Sequence, residues 1–259
     1  MKSNTMMAGP LFVSAIAAMF GLADCGQANA QQGTVPAKWA DTISAEIDKA
    51  TIAGDAAKLD AAAAMATRVA TAYPSDGLIL HYQGYALYRQ ANMKMVNGGD
   101  GSPLLEQAVP ILQRSLKTHP LPETYMLLSS IDGQLIGQNP SRAMELGVEA
   151  QTSSETALAM GPNNPRVWLL RGQAAIFTPP EYGGGLSLAE QQLKHAIELF
   201  AKDAPKPGEP SWGKAEACLW LGQVYEKKGD KANAAAMYKQ ALDISPTYGY
   251  AQVLAAALK

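Results

Sequence analysis

Cysteine is nearly absent from this chain, with two in 259 residues. Cys25 falls in an N-terminal segment that reads as a removable leader, which leaves Cys218 alone and excludes an internal disulfide. Histidine is almost as scarce. His81, His119 and His195 stand far apart with no metal-ligand spacing, so no metal site is expected. Neither sign of charge is in excess: 21 Lys and Arg against 23 Asp and Glu give a net −2. That balance excludes the electrostatic footprint of a nucleic-acid binder and of a polybasic membrane patch. The two Gly-rich stretches, Asn97–Ser102 and Tyr182–Gly185, lack the Lys followed by Ser or Thr of a phosphate-binding loop. The first also lacks the alternating ligands and distal Glu of a calcium loop. No catalytic constellation and no cofactor motif is present.

What is there begins with the leader. Lys2 precedes a 12-residue, mostly apolar run from Leu11 to Leu22, and Ala28-Asn29-Ala30 places small residues where a signal peptidase reads. The run is shorter than the roughly 20 apolar residues of a spanning helix. Residues 1–30 are therefore expected to be a secretory signal peptide cleaved after Ala30, with the mature chain periplasmic or secreted and no integral membrane segment. Asp24 stands where a lipoprotein needs a small residue before Cys25, which argues against acylation. Residues 31–38 read as a flexible leader, and 39–259 as one helical domain.

Within that domain one helix signature recurs five times. It reads Ala62-x3-Ala66-x2-Val69, Ala108-x3-Leu112-x2-Ser115, Ala150-x3-Ser154-x2-Ala157, Ala189-x3-Leu193-x2-Ala196 and Ala234-x3-Tyr238-x2-Ala241. Pro74, Pro120, Pro162 and Pro246 follow four of these, where proline stops a helix. Recurring helical units imply a stacked solenoid. The last unit is the cleanest: Cys218-x2-Leu221-Gly222-x2-Tyr225-x3-Gly229-Asp230-x3-Ala234. Gly222 and Ala234 are small where two antiparallel helices cross, Gly229 suits a left-handed cap, and Asp230 caps the next helix.

This unit, residues 215–248, resembles the tetratricopeptide repeat at nearly every signature position, with Cys218 where Trp is usual. Units two to four have Gly84, Ser129 and Gly172 at the crossing, but 24, 21 and 17 residues separate these from the matching Ala, against 12 in the last unit. The resemblance implies an all-α, right-handed solenoid of about five helical hairpins with a C-terminal capping helix over Tyr248–Lys259. Gly161–Arg166, Thr178–Gly185 and Pro210–Gly213 look like an exported bacterial subgroup of repeat proteins. There is a looser similarity to periplasmic helical-repeat subunits that accompany some tripartite solute transporters.

In this repeat family the first helices line a concave face. Carried over position by position, the resemblance implies His81, Tyr85, Tyr88, Glu123, Met126, Arg166, Gln173, Gln223 and Glu226 as candidate contact residues. Leu169, Glu216 and Leu219 fall on the same face. Aromatics at helical spacing also arise from ordinary packing, so the cluster at 81–88 has two readings. Pro205–Trp212 is a Pro/Gly-rich connector that fixes the angle of the last repeat, with Trp212 tucked against that hairpin or turned to a ligand. The function expected is a non-catalytic scaffold that binds a protein or peptide. The alternative is the solute-binding accessory subunit of a tripartite-type transport system.

Overall fold

The computed structural model describes residues 35–258. The expected signal peptide, its cleavage point, Cys25 and residues 31–34 of the expected leader lie outside the described residues. Eleven α-helices follow in order: α1 (Val35–Ala53), α2 (Ala56–Ala72), α3 (Gly77–Val96), α4 (Ser102–Thr118), α5 (Pro122–Gln138), α6 (Ala143–Met160), α7 (Pro165–Phe177), α8 (Leu186–Phe200), α9 (Lys214–Lys227), α10 (Lys231–Ile244) and α11 (Gly249–Ala257). Among the described residues there is no strand. Helix α1 begins at Val35, so residues 35–38 of the expected flexible leader are helical instead.

Local chemistry sets the boundaries. The side chains of Asp55, Asp76, Asn164 and Asp230 cap α2, α3, α7 and α10 by accepting backbone N–H bonds, satisfying donors that a helix start leaves orphaned. Gly229 turns the chain out of α9 at φ +81°, the left-handed region that glycine adopts without penalty.

Consecutive helices pair as five antiparallel hairpins, and in three of them a glycine lets the two helices approach closely. A Cβ added at Gly84 would lie 2.4 Å from Leu112, one at Gly172 2.6 Å from Leu193, and one at Gly222 2.4 Å from the Tyr238 ring. Each partner is the residue four positions after the signature Ala, so the pairing expected from the repeats is the pairing formed. The extra length of units two and three goes mostly into longer helices, 20 residues in α3 and 18 in α6 against 14 in α9 and α10, whereas that of unit four lies in the connection between Phe177 and Leu186.

The ends of the stack meet. Helix α11 packs against α1 as well as α10, and Ile52 of α1 lies against the buried cluster of Tyr238, Tyr248 and Ala251. The curved stack thereby closes on itself, and the inner face of α3, α5, α7 and α9 becomes an interior.

Candidate functional site

At the centre of that interior, α3 is tied to α9 by an ion pair. Arg89 donates through both terminal nitrogens to Glu216, at 2.9 and 2.5 Å, across 127 positions of sequence. Its Nε donates to the Tyr85 hydroxyl at 2.9 Å, which in turn donates to Asp48 on α1 at 3.3 Å. Gln173 and Trp220 donate to the same Glu216 oxygen. The guanidinium also lies 5.0, 5.9 and 5.5 Å from the ring centres of Tyr85, Tyr88 and Trp212, a cation–π cage. Burial opposes the charge on both partners, but Arg89 holds the Glu216 carboxyl below its ordinary range, and Glu216 holds the guanidinium well above its own. Asp48 lacks such a partner at close range, and burial pushes its carboxyl up to about 7.

The connector between α8 and α9 fills the rest. Asp203 accepts two bonds from Arg166 on α7, at 3.2 and 2.5 Å. The chain then crosses to the far wall, where Gly208 N–H donates to Asp41 at 2.6 Å and Tyr82 OH donates to Gly208 O at 3.0 Å. It returns through Trp212, which stacks on Tyr85 with ring centres 4.9 Å apart. Trp212 is thus buried against the second hairpin, not simply tucked on the last. Gly208, at φ +85°, sits where a Cβ would press on Leu78 and Ala37, so the segment is fitted to both walls.

This placement decides what the candidate residues face. His81, Tyr85, Tyr88, Glu123, Met126, Arg166 and Gln173 all lie on the inner side, and all are buried. Gln223 is half-buried, and Glu226 is exposed at the rim, where it accepts from Tyr238 OH at 2.6 Å. The His81 ring Nδ1 is 2.8 Å from the Thr124 hydroxyl, and burial pushes the imidazole down to about 3, so it is neutral at physiological pH. Burial also pushes the Cys218 thiol up to about 11, the opposite of an activated thiolate. Among the described residues no three His, Cys, Asp or Glu side chains converge to hold a metal ion.

Sequence reasoning missed Arg89, Asp48, Asp41 and Asp203. A signal existed for Arg89: it lies four residues after Tyr85, on the same helix face, opposite in sign to Glu216 on the equivalent face of the last unit. No local pattern announces Asp41 or Asp203, whose partners lie 167 and 37 residues away.

An opening remains at the mouth of the interior. A cavity of about 260 Å³ lies between the N-termini of α5 and α7 and the connector, bounded by Glu123, Asn164, Arg166, Asp203, Glu209 and Pro210. A second hollow, at Ser187, Glu190, Lys194 and Lys228, is wider. Glu190 there pairs with both Lys194 at 2.6 Å and Lys228 at 2.5 Å. Among the described residues no helix is long and apolar enough to cross a membrane.

Comparison with known proteins agrees with this geometry. Residues 215–248 match the family described as tetratricopeptide repeat. No curated protein matches the chain. Among solved structures, the HusA haemophore from Porphyromonas gingivalis is similar at 25% identity and TM-score 0.61, over 76% of this chain and 96% of that one. TTC0263, a thermophilic TPR protein of Thermus thermophilus, is similar at 22% identity and TM-score 0.55, over 78% of this chain and 91% of that one. The second likeness shows shared fold alone.

Proposed function

We propose that this chain, whose last hairpin matches the tetratricopeptide repeat and whose helical stack resembles a TPR protein, is a non-catalytic adaptor binding a protein or peptide at the mouth of its interior, outside the cytoplasm. The observation that carries this is the connector. A non-helical, Pro-rich segment, turning at Lys206–Glu209, lies against the inner wall, held by backbone bonds at Gly208 and a stacked Trp212. The wall is therefore complementary to non-helical polypeptide, and the cavity beside Asp203 is where that surface stays open. Fold alone does not fix function; the polypeptide-shaped wall is the site-level argument. A photo-crosslinking residue at Ala204, on the cavity rim, is the test in envelope extract, with exposed Gln113 on α4 as the control. Partner adducts concentrated at Ala204 support the reading. Equal yields at the two positions, or none at either, refute it. Export rests on the Leu11–Leu22 run and Ala28-Asn29-Ala30; a mature chain from the periplasmic fraction beginning anywhere but Gln31 counts against it.

A second reading, capture of a small solute, is favoured by the similarity to HusA, a haemophore, over 96% of that chain. Here the chain acts as the solute-binding accessory of a transport system, and haemin is the first solute to test. A Soret band that shifts and saturates at one equivalent supports this reading. A spectrum equal to the sum of free haemin and free protein removes its support.

A further inference from the structure

Resting on the peptide-binding reading, we infer that the mouth cavity is a socket for one cationic side chain of the partner, a lysine or an arginine. The cavity holds about 260 Å³, room for an alkylammonium or guanidinium and its methylenes. Its floor includes Glu123, which is 4% exposed. One oxygen of that carboxyl accepts from Asn164 Nδ2 at 2.7 Å. The other has no side-chain partner among the described residues, although the residue lines the cavity. A carboxylate that deep is costly unless a donor or a cation meets it.

The cation already nearby does not supply that. Arg166 spends both terminal nitrogens on Asp203, so the two charges cancel locally. Its remaining Nε is unpartnered but has no accessible surface, so an anion entering the cavity could not reach it. Glu209, on the connector side, accepts the Lys206 backbone N–H at 2.9 Å with one oxygen, leaving the other free. Glu123 and Glu209 therefore put two carboxyl groups on one cavity, with no cation paired to either among the described residues. Burial first, and Glu209 in addition, hold the Glu123 carboxyl above its usual range, while Asn164, the residue's own backbone N–H and Arg166 oppose them only in part. A cation placed between the two relieves both the repulsion and the lost hydration. Leu121, Pro122 and Pro210 offer apolar sides to the stem of a long side chain.

The test is an NMR titration of the intact chain with N-acetyl-lysine methylamide, n-butylammonium and acetate. Saturable amide shifts confined to 121–124, 164–166 and 203–210 with both cations, and none with acetate, support the socket. Shifts with acetate of equal size, or no saturable shift with either cation, overturn it. Glu123→Gln is expected to weaken the lysine probe about tenfold, the weight of one charge-assisted hydrogen bond. Glu209→Gln, on the connector and free of core packing, keeps the test sound if Glu123→Gln folds poorly; it is expected to weaken binding about threefold. Unchanged affinity in folded Glu209→Gln overturns the inference. Replacing each lysine of a captured partner peptide by norleucine separates a side-chain ligand from a free amine: loss of peptide binding supports the side chain, and retention with butylammonium still bound overturns it. None of the small-molecule steps requires the partner. A failed titration beside positive crosslinks at Ala204 thus removes the socket and leaves the adaptor reading standing.

Discussion

Breaking the Arg89–Glu216 pair probes the closed ring most directly. The two side chains are 7% and 13% exposed, so removing either strands a charge in the interior. Losing one partner of a buried pair costs about 3–5 kcal/mol, whereas replacing both by apolar residues is often neutral or better. The two single variants should not be equal. In Glu216→Gln the guanidinium keeps the Tyr85 hydroxyl and three ring faces, which places the loss near the lower end, about 3 kcal/mol. In Arg89→Met the carboxylate keeps only two neutral donors, Gln173 and Trp220, and the loss should approach about 5 kcal/mol. The double variant Arg89→Met/Glu216→Leu should lose less than the worse single one, giving a coupling of roughly 3 kcal/mol or more. Urea unfolding followed by far-UV circular dichroism measures all four corners, with equal slopes required for a valid cycle. The pH sense is fixed too. Glu216 is held below its ordinary value when folded, so its contribution is present at neutral pH and disappears on acidification through that lowered value. A coupling under about 1 kcal/mol would falsify the claim that this pair is a desolvated lock joining the second hairpin to the fifth.

Three further outcomes follow from the same geometry. Asp48 has the opposite sign from Glu216: its carboxyl rises from 3.8 to about 7 on folding, so stability is full below the unfolded value and falls as pH climbs towards 7, by roughly 4 kcal/mol in total. Asp48→Asn, which keeps an acceptor for Tyr85, should flatten that slope and stabilise the chain at pH 8; a slope unchanged from the parent would contradict this. Gly222→Ala forces a Cβ to within 2.4 Å of the Tyr238 ring and should cost about 2–3 kcal/mol, while Gly133→Ala in α5, with nothing within 4 Å, should gain about 0.5–1 kcal/mol in thermal melts. Trp212→Ala empties a buried site, costs about 3–5 kcal/mol and frees the connector; faster tryptic cleavage after Lys202 is the readout, and a digestion rate equal to the parent's would speak against a packed connector.

The repeats were legible because their physics is local. Gly84, Gly172 and Gly222 meet Leu112, Leu193 and Tyr238 through helical periodicity and a short turn, and both are written in consecutive residues. Asp230 and Gly229 announce their caps in the same way. Where local signals weaken, so does the structure's agreement with them. In unit three the signature Ala150 is only half-buried, and α6 buries just Leu146 and Ala157, leaving Met144 and Val148 exposed. Extra spacing was readable as a number, but not as longer helices, because a helix and a loop of equal length differ in contacts made elsewhere.

The site shows the same division more sharply. Periodicity assigns Tyr85, Glu123, Arg166 and Gln173 to the inner side, since that needs only the angle of each side chain around its own helix. Whether that side meets solvent is a separate question, and its answer lies in the connector, well downstream of all four. The connector is recognisable from Pro205, Pro207, Gly208 and Pro210 as non-helical, but its route is fixed by Asp41 and Tyr82, across 167 and 126 positions. Once it crosses, the aromatic stripe of α3 becomes packing. The binding chemistry we propose then lies beside the connector, where the crossing leaves Glu123 buried with one side-chain partner. Glu123 thus lies on the expected inner side in an unforeseen context: not on an open groove, but on the floor of the gap that the connector fails to fill.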